Sequence, residues 1–316
     1  MEVWFDYVKI NEATIGLDSR QGVANFISHA HSDHAFAFSK KIPALSSEQT
    51  IAIRNFNGQC LSPDEIGKIL GGAKVKLLNA GHIFGAKQLY IENSGSVLFT
   101  GDIKLRANLV VKGAETIQAE NLILDCTYGK KDYVFPEPFE IYDQMRKYIK
   151  SEKPDTTVLM GYSTGKAQEL IKFVNEYLGY TPVVDKSIAK ISRLHKANGC
   201  NLDFIELGTR EADEIIKGDY IAVVSPDWSL KNSFKKAASL LNRKAKIIYA
   251  TGWALDRDFS FMCDKAFPLS DHCDFNELMH FVEQVNPKRV FCRYGFVEDF
   301  ARELQKKGIQ AIAASH

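Results

Sequence analysis

Between residues 28 and 34 the chain reads Ser28-His29-Ala30-His31-Ser32-Asp33-His34, so three imidazoles and a carboxylate fall within six residues. Histidine and aspartate are ligands that divalent zinc takes, and crowding such groups costs free energy unless a cation offsets it. A single histidine would read as a satisfied core residue or a surface group. Four candidate ligands at this density point to a metal site. The segment before them, Val23 to Ser28, is apolar and predicts a buried strand. His29 and His31, two residues apart, project to one side as that strand ends; Asp33 and His34 follow after a turn, where they face a second ion.

Further candidates stand where other strands stop. Lys74 to Asn79 predicts a strand running into Ala80-Gly81-His82-Ile83-Phe84-Gly85-Ala86. Small residues there let backbone approach closely, and His82 completes a tetrahedral site that His29 and His31 leave short. Gln88 to Glu92 and Ser96 to Thr100 read as a hairpin that leads to Asp102, a carboxylate able to bridge two cations. Without the other ligands Asp102 would as readily cap a turn. Leu122-Ile123-Leu124 predicts a buried strand ending at Asp125. The turn Gly161-Tyr162-Ser163-Thr164-Gly165-Lys166 opens a helix expected to run to about Leu178. It fails as a Walker A sequence, because the glycine spacing is one residue short and Ala167 replaces the Ser/Thr. Ser163, Thr164, Gly165 and Lys166 still suit an anion through the helix dipole and free amides, against the alternative of a capped helix with a solvated lysine. His272, in Ser270-Asp271-His272-Cys273-Asp274, precedes a helix expected over Phe275 to Val285. His195, His280 and His316 receive no role.

The elements that must position these residues belong to an α/β chain. Residues 1 to 28 predict three short strands, and a helix is expected from Ser46 to about Asn55 with Ser46 or Ser47 as its cap. Pro136 and Pro138 mark a boundary, beyond which strand–helix alternation resumes. At 316 residues, 45% hydrophobic and 25% charged, the chain has the composition of a globular protein with a sizeable core. Its net charge of +1 supplies no global basic field, so polyanion binding must come from local patches or bound cations. No apolar run approaches the ~18 residues of a membrane span, the N-terminus lacks signal-peptide order, and a cytoplasmic location is expected. The six cysteines form no Cys-x-x-Cys pair and read as reduced, small buried hydrophobes.

The order His-x-His-x-Asp-His, then Ala-Gly-His82, then Thr-Gly-Asp102 resembles the metallo-β-lactamase fold hydrolases. Leu122 to Gly129, Gly161 to Leu170 and Ser270-Asp271-His272 narrow the resemblance to the β-CASP branch, the nucleases of that fold. The chain is similar to small exonucleases encoded beside DNA ligases and to archaeal RNA-processing exonucleases. The resemblance implies an αββα sandwich formed by residues 1–130 and 268–316, with a β-CASP cap inserted over 131–267. It implies two divalent ions, zinc or manganese: one held by His29, His31 and His82, the other by Asp33 and His34, with Asp102 bridging. Asp125 matches the first β-CASP motif and His272 the second; with Asp33 they form the implied catalytic set. Tyr294 stands where the family often supplies a further histidine ligand, which implies a weaker second metal and tilts the substrate toward DNA.

The implied chemistry is phosphodiester hydrolysis, with His272, oriented by Asp125, protonating or stabilising the leaving oxygen. Ser163 to Lys166 would grip a terminal 5′-phosphate, which favours 5′-to-3′ exonucleolytic action on DNA in repair. The competing readings are an RNA-processing nuclease of the same family, a small-molecule hydrolase such as a thioesterase, and a non-catalytic nucleic-acid-binding homologue. The expected partner is nucleic acid, in association with a DNA ligase or helicase; no membrane partner is expected, and the oligomeric state stays open.

Overall fold

The computed structural model describes residues 1–152, 154–227 and 229–314; His316 lies outside them. The chain divides into two compact units, one of residues 1–107, 111–134 and 272 onward, the other of 108–110 and 135–271.

The first unit opens with β1 (Glu2–Val3), β2 (Tyr7–Ile10), β3 (Ala13–Leu17) and β4 (Ala24–Phe26). Four strands replace the three expected, because Asn11 in the left-handed region (φ 52°) folds β2 back antiparallel onto β3. A short helix α1 (Ser32–Ala35), β5 (Ala44–Leu45), α2 (Glu48–Arg54) and α3 (Pro63–Ile69) follow. Ser47, not Ser46, caps α2 by accepting from the Thr50 amide at 3.1 Å, while Ser46 donates to the Ile27 carbonyl. A capping box of Ser62 and Glu65 around Pro63 starts α3. Then come β6 (Lys74–Asn79), β7 (Lys87–Glu92), β8 (Ser96–Phe99) and β9 (Asn121–Asp125).

The second unit is a mainly doubly wound α/β layer: α4 (Pro138–Glu152), β10 (Thr156–Met160), α5 (Lys166–Phe173), β11 (Val183–Val184), α6 (Lys186–Ala197), β12 (Ile205–Glu206), α7 (Arg210–Ile215), β13 (Tyr220–Val224), α8 (Leu230–Leu240), β14 (Ala245–Ala250) and β15 (Lys265–Phe267). Its parallel strands lie in the order β12-β11-β13-β10-β14-β15. Alternation with period two sends Leu159 and Ile248 into one apolar cluster and Val158, Met160, Ile247 and Tyr249 into another. The helix expected to run from Lys166 to Leu178 is α-helical only to Phe173. It continues as one π turn over Val174–Leu178 and stops at Gly179 (φ 75°).

The chain then returns to the first unit with α9 (Phe275–Val285), β16 (Arg289–Arg293), α10 (Val297–Lys306) and β17 (Gln310–Ala313). One sheet of this unit runs β1-β2-β3-β4-β5, the other β17-β16-β9-β8-β7-β6. Leu17, Phe26 and Leu45 of the first sheet share an apolar cluster with Leu89, Phe99, Ile123 and Phe291 of the second. The far side of the second sheet is covered by Phe281 and Val282 of α9 and Phe300 and Leu304 of α10. Each such fully buried side chain contributes about 1.5–3 kcal/mol.

Strand direction brings the candidate residues to one edge. β8, β9 and β16 run parallel, and β6 and β8 are both antiparallel to β7. The C-terminal ends of β6, β8, β9 and β16 therefore lie together, and they deliver His82, Asp102, Asp125 and Tyr294 in turn. Crevices outside the carboxyl ends of such strands are where α/β sheets place their ligands.

Candidate metal centre

Strand β4 carries the chain through Ile27 and Ser28 into His29, and α1 starts at Ser32, so the dense histidine stretch spans a strand end and a helix start. His29 and His34 are buried. Two glycines permit the close approach of the other loops. A Cβ on Gly81 (φ 79°) would run into the Lys104 carbonyl, and one on Gly101 (φ 55°) would stand 2.5 Å from Ser28 Cβ. His82 and Asp102 follow those glycines directly.

His29, His31, His82 and Asp102 can each offer a ligand atom within 4.8 Å of the others. His29 Nε2 lies 3.4 Å and His82 Nε2 3.5 Å from Asp102 Oδ2, and His82 Nε2 lies 3.1 Å from His31 Nδ1. A tetrahedral zinc with bonds of about 2.0–2.1 Å separates its ligand atoms by roughly 3.3 Å. The spacing fits. The other carboxylate oxygen, Asp102 Oδ1, faces His34 Nε2 at 3.3 Å, while His272 Nε2 lies 3.9 Å from Asp102 Oδ2. One carboxylate thus faces four imidazoles.

Hydrogen bonding behind the cluster decides which nitrogens carry protons. The buried carboxylate of Asp18 receives the Ser28 amide at 2.7 Å, the Ser28 hydroxyl at 2.6 Å and lies 2.7 Å from His34 Nδ1. Ser28 has one hydroxyl proton, donated to Asp18, so its oxygen accepts from His29 Nδ1 at 2.9 Å. His29 Nε2 is then a lone pair pointed at a carboxylate oxygen. It makes no hydrogen bond although buried. With Nδ1–H given to Asp18, a neutral His34 likewise turns its Nε2 lone pair toward Asp102 Oδ1. Acceptors brought face to face in a buried site fit a cation between them, and the carboxylate behind a ligating histidine is the usual orienting partner.

The electrostatics agree. Burial, then the neighbouring His34, His82 and His31, hold His29 well below the ordinary imidazole value, so it stays neutral. Burial, reinforced by Asp125 and Asp33, pushes Asp102 up to about 6. Burial opposes the charged form of His34, but Asp102, Asp18 and Asp33 outweigh it and raise its pKa to about 10, so among protein groups alone its imidazolium supplies the positive charge. A metal must displace that proton.

Asp125 ends β9, and its Oδ2 lies 2.8 Å from His272 Nδ1 while Oδ1 accepts from the Thr127 amide and hydroxyl. Burial works against ionisation of Asp125, yet His272 and Thr127 hold its carboxyl below the ordinary range. Asp33 stands apart from these groups. Its side chain is 77% exposed, 3.8 Å from His34 Nε2, at the rim.

Lys166 differs from its expected place on an open anion loop. The residue is 2% exposed, and its ammonium pairs with Glu169 and, at 2.7 Å, with Asp271. The Gly165 amide is also taken, by Gln168 Oε1 at 2.8 Å. Lys166 is therefore a buried, compensated charge, held in its charged form by two carboxylates despite burial. The structural reason is Asp271, a hundred residues on.

Asp18 is the residue that sequence reading passed over as part of a turn. Its signal is the one that marked Asp102 and Asp125, an acid immediately after an apolar strand. Its left-handed backbone (φ 48°) aims the carboxylate inward.

No family model matches the chain. Over 302 residues, 92% of the chain, it is 33% identical to a probable DNA ligase of Opitutus terrae, covering 28% of that protein. It is 25% identical to an RNase J-like protein of Methanocaldococcus jannaschii over 60% of the chain and 52% of the relative. It is 26% identical to the human DNA cross-link repair 1A protein over 84% of the chain and 28% of the relative. The chain thus spans about half or less of the length of each of these relatives. A fold of mixed α/β sheets and a buried histidine–aspartate cluster that could hold metal accompany these likenesses. The chain belongs to the metallo-β-lactamase/β-CASP family.

Proposed function

We propose that this chain is a metal-dependent nuclease that hydrolyses phosphodiester bonds at a dinuclear zinc site, acting on DNA in repair as a 5′-to-3′ exonuclease. The accompanying fold reading is an αββα sandwich of residues 1–130 and 268–316 with a β-CASP cap over 131–267. The observation that carries the proposal is that both oxygens of Asp102 face imidazole nitrogens, His29 Nε2 at 3.4 Å and His34 Nε2 at 3.3 Å, so positive charge is called for on both sides of one carboxylate.

In this reading His29, His31 and His82 would hold one ion and Asp33 and His34 the other, with the carboxylate of Asp102 available to both. Bound there, the ions supply Lewis acidity toward a phosphate and lower the pKa of water. Asp33, exposed at the rim, takes the proton of the attacking water. Asp125 supports the imidazolium of His272, which passes its Nε2 proton to the departing oxygen. Ser163 and Thr164 contact the terminal phosphate of the substrate, and Gly165, through Gln168, and Lys166 hold their loop from beneath. Action in the cytoplasm, in association with a DNA ligase or a helicase, goes with this reading.

Likeness to proteins named for DNA ligation and DNA cross-link repair supports DNA as the substrate; likeness to an RNase J-like protein supports RNA processing as the second reading. Metal-reconstituted protein, its chelator-treated form and His31→Ala are to be incubated with matched labelled DNA and RNA oligomers bearing 5′-phosphate or 5′-hydroxyl ends. Cleavage by the reconstituted protein alone is expected, faster on phosphorylated DNA. Metal-loaded protein that cuts neither polymer overturns the nuclease reading, and equal cutting of both ends removes the phosphate role of the 163–165 loop.

A further inference from the structure

His272 meets a carboxylate at each ring nitrogen. Its Nδ1 lies 2.8 Å from Asp125 Oδ2, and its Nε2 lies 3.9 Å from Asp102 Oδ2. A neutral imidazole has one proton to divide between two such acceptors. If His272 is to give its Nε2 proton to a departing oxygen, Nδ1 must keep its own proton throughout. The carboxylate behind Nδ1 must then be both ionised and unable to turn.

Asp125 is gripped on both oxygens. Oδ1 accepts from the Thr127 amide at 2.8 Å and the Thr127 hydroxyl at 2.6 Å, and Oδ2 also accepts from the Ile103 amide at 3.3 Å. The Ile103 carbonyl in turn accepts the Cys273 amide at 2.8 Å, so the backbone beside His272 and the carboxylate under its ring are tied to one residue. Donors onto a buried carboxylate favour its charged form and fix its rotation. Thr127 is itself closely placed. A Cβ on Gly295 (φ 63°) would stand 2.3 Å from Thr127 Cα, and the Cys126 carbonyl before it accepts the Gly129 and Phe296 amides, each at 2.9 Å. Tyr128, next in the chain, sets its ring at 81° to that of His272 with 5.9 Å between centroids. Of the two donors to Oδ1, the amide belongs to the backbone and the hydroxyl can be removed by substitution.

We infer that Thr127 is a positioning residue for His272: its hydroxyl locks the Asp125 carboxylate so that Oδ2 stays under Nδ1 and Nε2 faces the reacting centre. The inference rests on the nuclease reading above, in which His272 is the proton donor, and adds the residue that keeps that donor in register.

The test has a spectroscopic and a kinetic arm. In chelator-treated protein, ¹H–¹⁵N correlation of the imidazoles, assigned by the signal missing in His272→Gln, reports which nitrogen of His272 carries its proton. The parent and Thr127→Ser should show the Nδ1–H form, and Thr127→Val a mixture with the Nε2–H form. With metal restored, Thr127→Val should lose at least about tenfold in kcat on a DNA oligomer with KM changed by less than about twofold, and Thr127→Ser should stay within about threefold of the parent. On the p-nitrophenyl ester of thymidine 5′-phosphate, whose leaving group departs without a proton, Thr127→Val should lose less than about twofold. Thr127→Val that keeps the parent's proton position and kcat overturns the positioning role. Equal loss on oligomer and ester overturns it too, since general damage to the fold would act on both. His272→Gln that cuts the oligomer as fast as the parent is a different failure: it removes the proton-donor reading, and the inference with it, without any change at Thr127.

Discussion

Each of the two units buries a polar cluster, and the clusters are built on opposite principles. In the second unit Lys166 places its ammonium between Glu169 and Asp271, and Glu169 also takes the Tyr142 hydroxyl, so donors meet acceptors throughout. In the first unit His29 Nε2 is turned by Ser28 toward an oxygen of Asp102, so an acceptor meets an acceptor. The lesson is that burial of charge does not by itself mark a site. A balanced network specifies structure, and an unbalanced one specifies what it is waiting to bind.

The largest effect should come from unbalancing the balanced cluster. Lys166→Met leaves two carboxylates buried without their cation and should destabilise the protein by about 3–5 kcal/mol. Urea unfolding measures this, and the number of metal ions bound should not change. The comparison breaks if the variant is as stable as its parent. Asp102→Asn removes the carboxylate that the imidazoles share, so tight metal binding should be lost and the His34 pKa should fall from about 10 in chelator-treated protein, read by NMR titration. A His34 titration that does not move would mean that Asp102 does not act on it.

Asp18→Asn keeps the shape of the network but removes the charge behind His34 and Ser28. Metal affinity should fall about 10- to 100-fold, read by competition with a chromophoric chelator. Unchanged affinity would reduce Asp18 to a packing residue. A further effect is the pH dependence of the chelator-treated protein. The folded-state pKa of His34, about 10, lies above its ordinary 6.5, so protonation favours the folded chain. That stabilisation is whole below about pH 6.5 and is lost as the pH rises toward 10. Unfolding midpoints at pH 6 and pH 9 should therefore differ, with the lower at pH 9, and the difference should vanish in His34→Gln.

Much of this is legible in the amino-acid sequence alone. The residues that ended apolar strands could be picked out because a strand's alternation stops visibly, and the candidates His29, His82, Asp102 and Asp125 all stand just past such stops. The bounds of α9 and the glycine-lined approach to His82 were legible for the same local reasons. Asp18 was not, because its meaning depends on His34, sixteen residues away across a strand and a loop. Nor was the setting of Lys166. The local run Gly-Tyr-Ser-Thr-Gly-Lys reads as an open loop, and nothing nearby announces that Asp271 will close over it.

The amino-acid sequence by itself determined which side chains could bind metal and in which local elements they sit, because spacing, strand ends and caps are short-range properties of the chain. Only the tertiary structure decided which of them share one carboxylate, which nitrogen of each imidazole keeps its proton, and which charge is already spent. Those outcomes depend on hydrogen bonds and ion pairs between segments far apart in the chain, as between Asp18 and His34 or Lys166 and Asp271, and no local pattern of residues encodes them.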